Sequence, residues 1–242
     1  MEARLVSALP DTPGWQLEPK WDGFRAIAVR AGREVALWSK SGKPLGRYFP
    51  ELLALLAGVS ASHFVLDGEI VVPHGDVLSF GALQARLHPA ASRIERLSRE
   101  TPAQLMLFDA LVLGANDLED ASLEQRRRAL KDFHRCHGNE SLRLSPCSDD
   151  VGAARAWLAA AGGALDGVVA KRIDLPYLCG ERIMAKVKQH RTADCVIGGF
   201  RKTADGKGVA SLLLGLYGDD GRLDHVGFTS GLPAGDRPKL LK

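Results

Sequence analysis

Lys20, Asp22, Gly23 and Arg25 stand within one short stretch, Glu18-Pro19-Lys20-Trp21-Asp22-Gly23-Phe24-Arg25. A lysine amine becomes a nucleophile once it has lost its proton, and an arginine fork grips phosphate through parallel hydrogen bonds. Four further segments combine charge with strand-like sequence: Leu66-Asp67-Gly68-Glu69, Phe108-Asp109, Asp166-Gly167-Val168-Val169-Ala170-Lys171 and Lys186-Val187-Lys188. Strand alternation puts Lys186 and Lys188 on one face, where two ammonium groups repel unless an anion lies between them. Asp109 sits in an otherwise apolar run, a costly place for an acid without a partner. Each segment also has a plainer reading. The chain holds five Asp-Gly pairs, an ordinary hairpin signal, and those at 205 and 220 read as turns only. Two lysines on a strand read as a solvated face, and Phe108 reads as core.

The elements that must carry these residues follow from pattern. Residues 24–30 and 34–39 form a hairpin about Ala31-Gly32-Arg33. Residues 50–58 open on Pro and close on Gly, a short helix. Residues 63–72 are strand-like but split by Asp67-Gly68, 79–87 are helical, and the apolar run 104–113 is a buried strand. Ser122 and Gln125 have capping-box spacing, which starts a helix over 122–135. A second helix runs from Asp149 to Gly162, followed by strands near 167–172 and 183–188. From residue 192 the texture is strand and turn only, so a boundary falls near 190.

A chain of 242 residues suits one large or two small domains with a real core. With 45% hydrophobic and 25% charged residues it is neither disordered nor a coiled coil. The net charge of +3 does not by itself announce a nucleic acid. It is unevenly placed, however, since residues 186–207 hold six Lys or Arg against two Asp. No apolar run reaches membrane-spanning length, and Met1–Asp11 lacks the apolar stretch of a secretory signal. Cys136, Cys147, Cys179 and Cys195 are widely spaced, as expected of reduced thiols in a cytoplasm. His134-x-Cys136-His137 offers metal-ligand types, but with no second ligand pair it reads as a surface cluster.

In this order and spacing the five charged segments resemble the motifs of the ATP-dependent DNA ligases, within the covalent nucleotidyltransferase superfamily. Lys20, Asp22, Gly23 and Arg25 match the family's Lys-x-Asp-Gly-x-Arg, and the other four match its later motifs in sequence. Tyr177-x-x-Gly180-x-Arg182 is similar to a stretch in bacterial repair ligases, and the likeness is strongest to the small C-type ligases and the ligase module of end-joining enzymes. The resemblance implies an α+β fold: an ATP-grasp-like nucleotidyltransferase domain of antiparallel sheets flanked by helices over 1–190. The start of an all-β OB-fold follows over 191–242.

It also implies roles. Lys20 attacks the α-phosphate of ATP to form lysyl-AMP, and the adenylate passes to the 5′-phosphate of nicked duplex DNA. Neighbouring cations and a bound Mg²⁺ or Mn²⁺ favour the free amine and stabilise the phosphate's charge. Asp166 holds the metal, while Glu69 binds ribose or metal. Phe108 stacks on the adenine and Glu18 meets its edge. Lys186 and Lys188 contact the α-phosphate, and Arg25 and Arg182 contact nucleotide or DNA 5′-phosphate. Lys40, Arg201 and Lys202 lie on DNA. Two departures stand out: Lys40 replaces the family's arginine, so a bidentate contact becomes a point charge, and Asp166 replaces a glutamate one methylene longer. The family's basic final motif has no counterpart before Lys242, so the resemblance leads to the expectation of a ligase that is truncated or incompletely represented, with part of an OB-fold. The protein is expected to act as a monomer in DNA repair, beside a repair or end-joining polymerase. RNA ligases and capping enzymes share the lysine motif, and a non-catalytic nucleic-acid-binding module is a further alternative, which the intact Lys20 disfavours.

Overall fold

The computed structural model describes residues 1–75, 77–160, 165–188 and 192–241. The chain forms two compact units, residues 1–189 and 190–242, and the junction falls on residues outside the described ones. In chain order the first unit begins with β1 (Ala3–Leu5), β2 (Trp15–Trp21), β3 (Phe24–Ala31), β4 (Glu34–Ser39), α1 (Pro50–Gly58) and β5 (His63–Val71). It continues with β6 (Pro73–His74), β7 (Val77–Leu78), α2 (Phe80–Gln84), α3 (Ala91–Glu100), β8 (Gln104–Leu113) and β9 (Asn116–Asp117). Then come α4 (Leu123–His137), β10 (Leu142–Leu144), α5 (Val151–Ala159), β11 (Leu165–Arg172) and β12 (Met184–Val187). The second unit holds β13 (Val196–Lys202), β14 (Val209–Tyr217) and β15 (Leu223–Thr229).

Two sheets build the first unit. The larger runs β10-β8-β5-β3-β4, with β9 on β8, and the smaller runs β1-β12-β11-β2. The sheets are not wholly antiparallel as expected, because each ends in one parallel edge strand, β10 on β8 and β1 on β12. β10 is parallel because the chain returns to the sheet through α4, a helical crossover. The large sheet buries Ala26, Ala28, Leu66, Ile70, Leu105 and Leu107 with Phe49, Leu52, Leu56 and Leu130. The small sheet buries Leu17, Val168, Ala170 and Ala185 with Ala154 of α5.

Two local expectations change. β5 is one strand, not two, because Asp67-Gly68 forms a bulge in its pairing with β8 instead of a break. α3 has no side-chain cap and so no start signal, yet it buries Ile94 beneath a charged outer face. α4 has the anticipated capping box, with Ser122 and Gln125 bonding reciprocally. Gly162, expected to end α5, lies outside the described residues. Asp109 has its partner: Arg126 of α4 grips it with two hydrogen bonds of 2.8 and 3.0 Å, and both side chains are fully buried.

The second unit is the antiparallel sheet β13-β14-β15. Asp205-Gly206 and Asp220-Gly221 turn its corners, with φ of +70° and +74° at the glycines. Phe200 and Phe228 occupy opposite faces, 47% and 61% exposed.

Replacing Asp109 by Ala would leave the Arg126 charge buried without its carboxylate. The expected cost is about 3–5 kcal/mol, read as a lower denaturant midpoint; an unchanged midpoint would show that the pair is not a structural tie.

Candidate active site

Alternation along the strands separates site from core. In β2 and β11 the residues Glu18, Lys20, Val169 and Lys171 share one face, while Leu17, Val168 and Ala170 pack under α5 on the other. Lys186 of β12 stands opposite Val169 and Leu5, so it belongs to the same face as Lys20. In the larger sheet Ala26, Leu66 and Ile70 point into the core and Arg25, Asp67 and Glu69 point away from it. These outward faces line one cavity of about 560 Å³, which also takes in Glu2, Lys40, Phe108 and Arg182. A cavity of that size accepts a nucleotide.

Motif I is the crossing between the sheets. The chain leaves the smaller sheet at Trp21 and enters the larger at Phe24, so Lys20 and Arg25 look into the cavity from different walls. Gly23 makes that crossing possible, since a Cβ there would lie 2.4 Å from the Ile70 carbonyl oxygen. Two bulges re-aim further residues. Asp166 is the extra residue where Leu165 pairs with Trp21 and Gly167 with Lys20. Phe108 is the extra residue where Asp109 pairs with Asp67 and Leu107 with Gly68. Gly167 has φ +145° and room for no Cβ, its place lying 2.1 Å from the Val187 carbonyl oxygen.

The charges are tightly arranged. Asp166 Oδ2 lies 2.7 Å from Lys20 Nζ and 2.7 Å from Lys188 Nζ. Burial pushes the Asp166 carboxyl up, but the hydrogen bonds from Lys188 and Lys20 outweigh it and hold it below the usual range. Lys186 has no ion pair among the described residues. Its burial, then the nearby Lys188, Lys20 and Lys40, lower its ammonium's pKa. Burial pushes the Glu69 carboxyl up to about 8 against the pull of Lys20 and Arg25. Glu18 is buried, accepting from Gln16 at 2.6 Å and pairing with Lys171 at 2.8 Å. Lys171 Nζ also stands 4.5 Å above the Phe108 ring.

Arg25 is placed differently from a free phosphate grip. Its Nε and Nη2 donate to Asp67 at 3.0 and 2.6 Å, and its Nη1 donates to the Met1 carbonyl at 2.6 Å. Tyr177 donates to the same Asp67 at 2.8 Å, and its ring faces Arg126. Lys40 and Arg182 both face Glu2 on the cavity rim. Arg201 and Lys202 are exposed on β13 of the second unit. Sequence reasoning missed Lys171, Asp67 and Tyr177 as site residues, although all three fall inside quoted segments. It also missed Glu2, which carries no local signal. His134 bonds the Leu142 carbonyl and His137 approaches Ser60, so with exposed Cys136 they do separate work. Among the described residues no group of three His, Cys, Asp or Glu side chains forms a metal site.

A lysine amine paired with a carboxylate, beside a second lysine that forms no ion pair among the described residues, gives this cleft a face suited to a phosphate. The profile of the ATP dependent DNA ligase domain matches residues 5–188. The chain is 48% identical to DNA ligase C1 of Mycolicibacterium smegmatis, over 100% of this chain and 70% of that protein. It is 32% identical to the multifunctional non-homologous end joining DNA repair protein LigD of Mycobacterium tuberculosis, over 86% of this chain and 26% of that protein. A solved mycobacterial DNA ligase D, complexed with ATP and MES, superposes with a TM-score of 0.58 at 28% identity, covering 99% of this chain and 76% of that one. The chain belongs to the family of ATP-dependent DNA ligases.

An acid whose folded-state pKa is raised gives stability that is present at low pH and lost as pH rises through the folded value. The unfolding midpoint is therefore expected to fall as pH rises from the ordinary value of 4.5 towards the folded Glu69 value of about 8, and to level off above it. Glu69→Gln, which keeps the shape of the protonated acid, should flatten that fall. Identical pH profiles would mean that Glu69 does not titrate there.

Proposed function

We propose that the protein seals nicks in duplex DNA that bear a 5′-phosphate beside a 3′-hydroxyl, through a covalent adenylate on Lys20. The observation that supports this most strongly is the charge balance around that lysine. Asp166 is shared by Lys20 and Lys188, and Lys186 forms no ion pair among the described residues and feels Asp166 only at longer range, so one carboxylate faces three lysines where a phosphate would add negative charge.

Lys20 gives up its proton and its amine attacks the α-phosphorus of ATP, forming the N–P bond as the bond to pyrophosphate breaks. The 5′-phosphate of the nick then takes the adenylyl group and frees Lys20. Finally the 3′-hydroxyl attacks that phosphate and AMP leaves. In all three steps the protein's main work is in-line positioning and charge stabilisation. Lys186 and Lys188 would hold the α-phosphate. Glu18, fixed by Gln16 and Lys171, would meet the adenine edge, and Phe108 its face. Glu69, carrying its proton at neutral pH, would donate to a ribose hydroxyl. Arg25 would serve by fixing Asp67, with Lys40 and Arg182 facing the DNA 5′-phosphate.

The residues fit a magnesium or manganese ion that takes one or two carboxylates and completes its shell with phosphate oxygens and water. The ionised Asp166, and Glu69 once deprotonated, would hold it. Such an ion would offset phosphate charge. The second unit, three antiparallel strands with exposed Arg201 and Lys202, supports reading it as the start of an OB-fold that contacts the DNA backbone. The likeness to the end-joining DNA repair protein supports a role in DNA repair, and a repair or end-joining polymerase is proposed as its partner.

With labelled ATP, Lys20→Ala should form no acid-labile enzyme adenylate, and EDTA should abolish it in the wild type. Label persisting on Lys20→Ala would overturn the assignment of the nucleophile. Label formed in EDTA would overturn the metal. Binding to nicked duplex should weaken steeply with salt as counterions return to the phosphates. A flat response would remove the DNA backbone from the reading.

A further inference from the structure

Glu2 stands where Lys40 and Arg182 meet. Its Oε1 lies 3.0 Å from Lys40 Nζ and its Oε2 lies 3.5 Å from Arg182 Nε. Lys40 follows β4 of the larger sheet, while Glu2 precedes β1 of the smaller, so the pair spans the cavity mouth. The backbone of Glu2 is fixed independently of its carboxylate, with its N–H on the Glu181 carbonyl at 2.7 Å and its carbonyl accepting from Met184 at 3.2 Å. The hydrogen bond from Lys40 holds the Glu2 carboxyl below its usual range. Both cations remain largely exposed, at 58% and 77%, within reach of an incoming group.

From this geometry we propose that Glu2 is a specificity-determining residue: its carboxylate holds the place of the DNA 5′-phosphate between Lys40 and Arg182 and yields it only to a group of higher negative charge. The inference rests on the reading that these two cations receive that phosphate. A terminal phosphate monoester carries up to two charges and three acceptor oxygens, enough to displace one carboxylate from both partners. A 5′-hydroxyl brings no charge and leaves Glu2 in place.

The test measures binding of fluorescent nicked duplexes to the full chain at fixed ionic strength, without ATP and in EDTA, so that no turnover occurs. Glu2→Gln, which keeps the backbone contacts, should bind the 5′-phosphorylated nick about two- to fivefold tighter, the scale of an exposed ion pair's competition. Its affinity for the 5′-hydroxyl nick should not change. Equal tightening on both nicks would overturn the proposal in favour of a general charge effect. No tightening on either would also overturn it, as would a lower KM for ATP in adenylation without any gain on the nick. The double variant Lys40→Ala/Arg182→Ala tests the underlying reading separately. If it keeps full preference for the 5′-phosphate, the reading of the two cations fails. If it loses that preference while Glu2→Gln changes nothing, the cation reading stands and the role of Glu2 falls.

Discussion

Arg25 and Asp67 form the contact on which the arrangement of the cleft depends. They lie on neighbouring strands of the larger sheet, and the same arginine reaches the Met1 carbonyl beside the first strand of the smaller one. Tyr177, from the connection between β11 and β12, closes the group on Asp67. Three distant parts of the chain are thus tied at the floor of one cavity. Burial works against the charge of Arg25, and the neighbouring carboxylate more than restores it. Broken on one side only, such a buried pair would strand a charge, a much larger penalty than the pair's own net gain. This explains how two sheets can turn charged faces toward each other without collapse.

On that floor the cavity carries a surplus of positive charge near Lys20. Asp166 pairs with two lysines, while Lys186 forms no ion pair with a described acid and feels Asp166 only at longer range. The shortfall is matched to a phosphate, the group a ligase must hold at the moment its charge is redistributed. The carboxylates are not equivalent within this field. Lysine contacts keep Asp166 ionised, whereas burial keeps Glu69 protonated near neutral pH. Two similar side chains in one cleft are thereby set apart for different work by their surroundings.

Much of this was legible from residue type and spacing, and the exceptions have physical reasons. The helix caps, the apolar strand β8 and the turns at 205 and 220 are local features, and the chain reads them locally. β2 was hidden because Pro19 interrupts its pattern; an edge strand tolerates that proline because one side needs no ladder. β1 and Glu2 were invisible since their partners lie some 180 residues away. The Asp-Gly pairs were ambiguous in sequence and are sharply divided in space. Gly23, Gly68 and Gly167 each sit against a carbonyl oxygen with no room for a Cβ, while Gly206 and Gly221 have open space and serve only their turns. Identical dipeptides thus mark either a packed site or a hairpin corner, and only long-range pairing decides which.

Lys20, among the several lysines lining this cavity, is the residue proposed to bond to the nucleotide. Incubating the wild-type chain with ATP and Mg²⁺, digesting it and locating the adenylate by tandem mass spectrometry tests this most directly. The account predicts a single adenylate on the peptide containing Lys20. An adenylate on Lys171, Lys186 or Lys188 instead would contradict it.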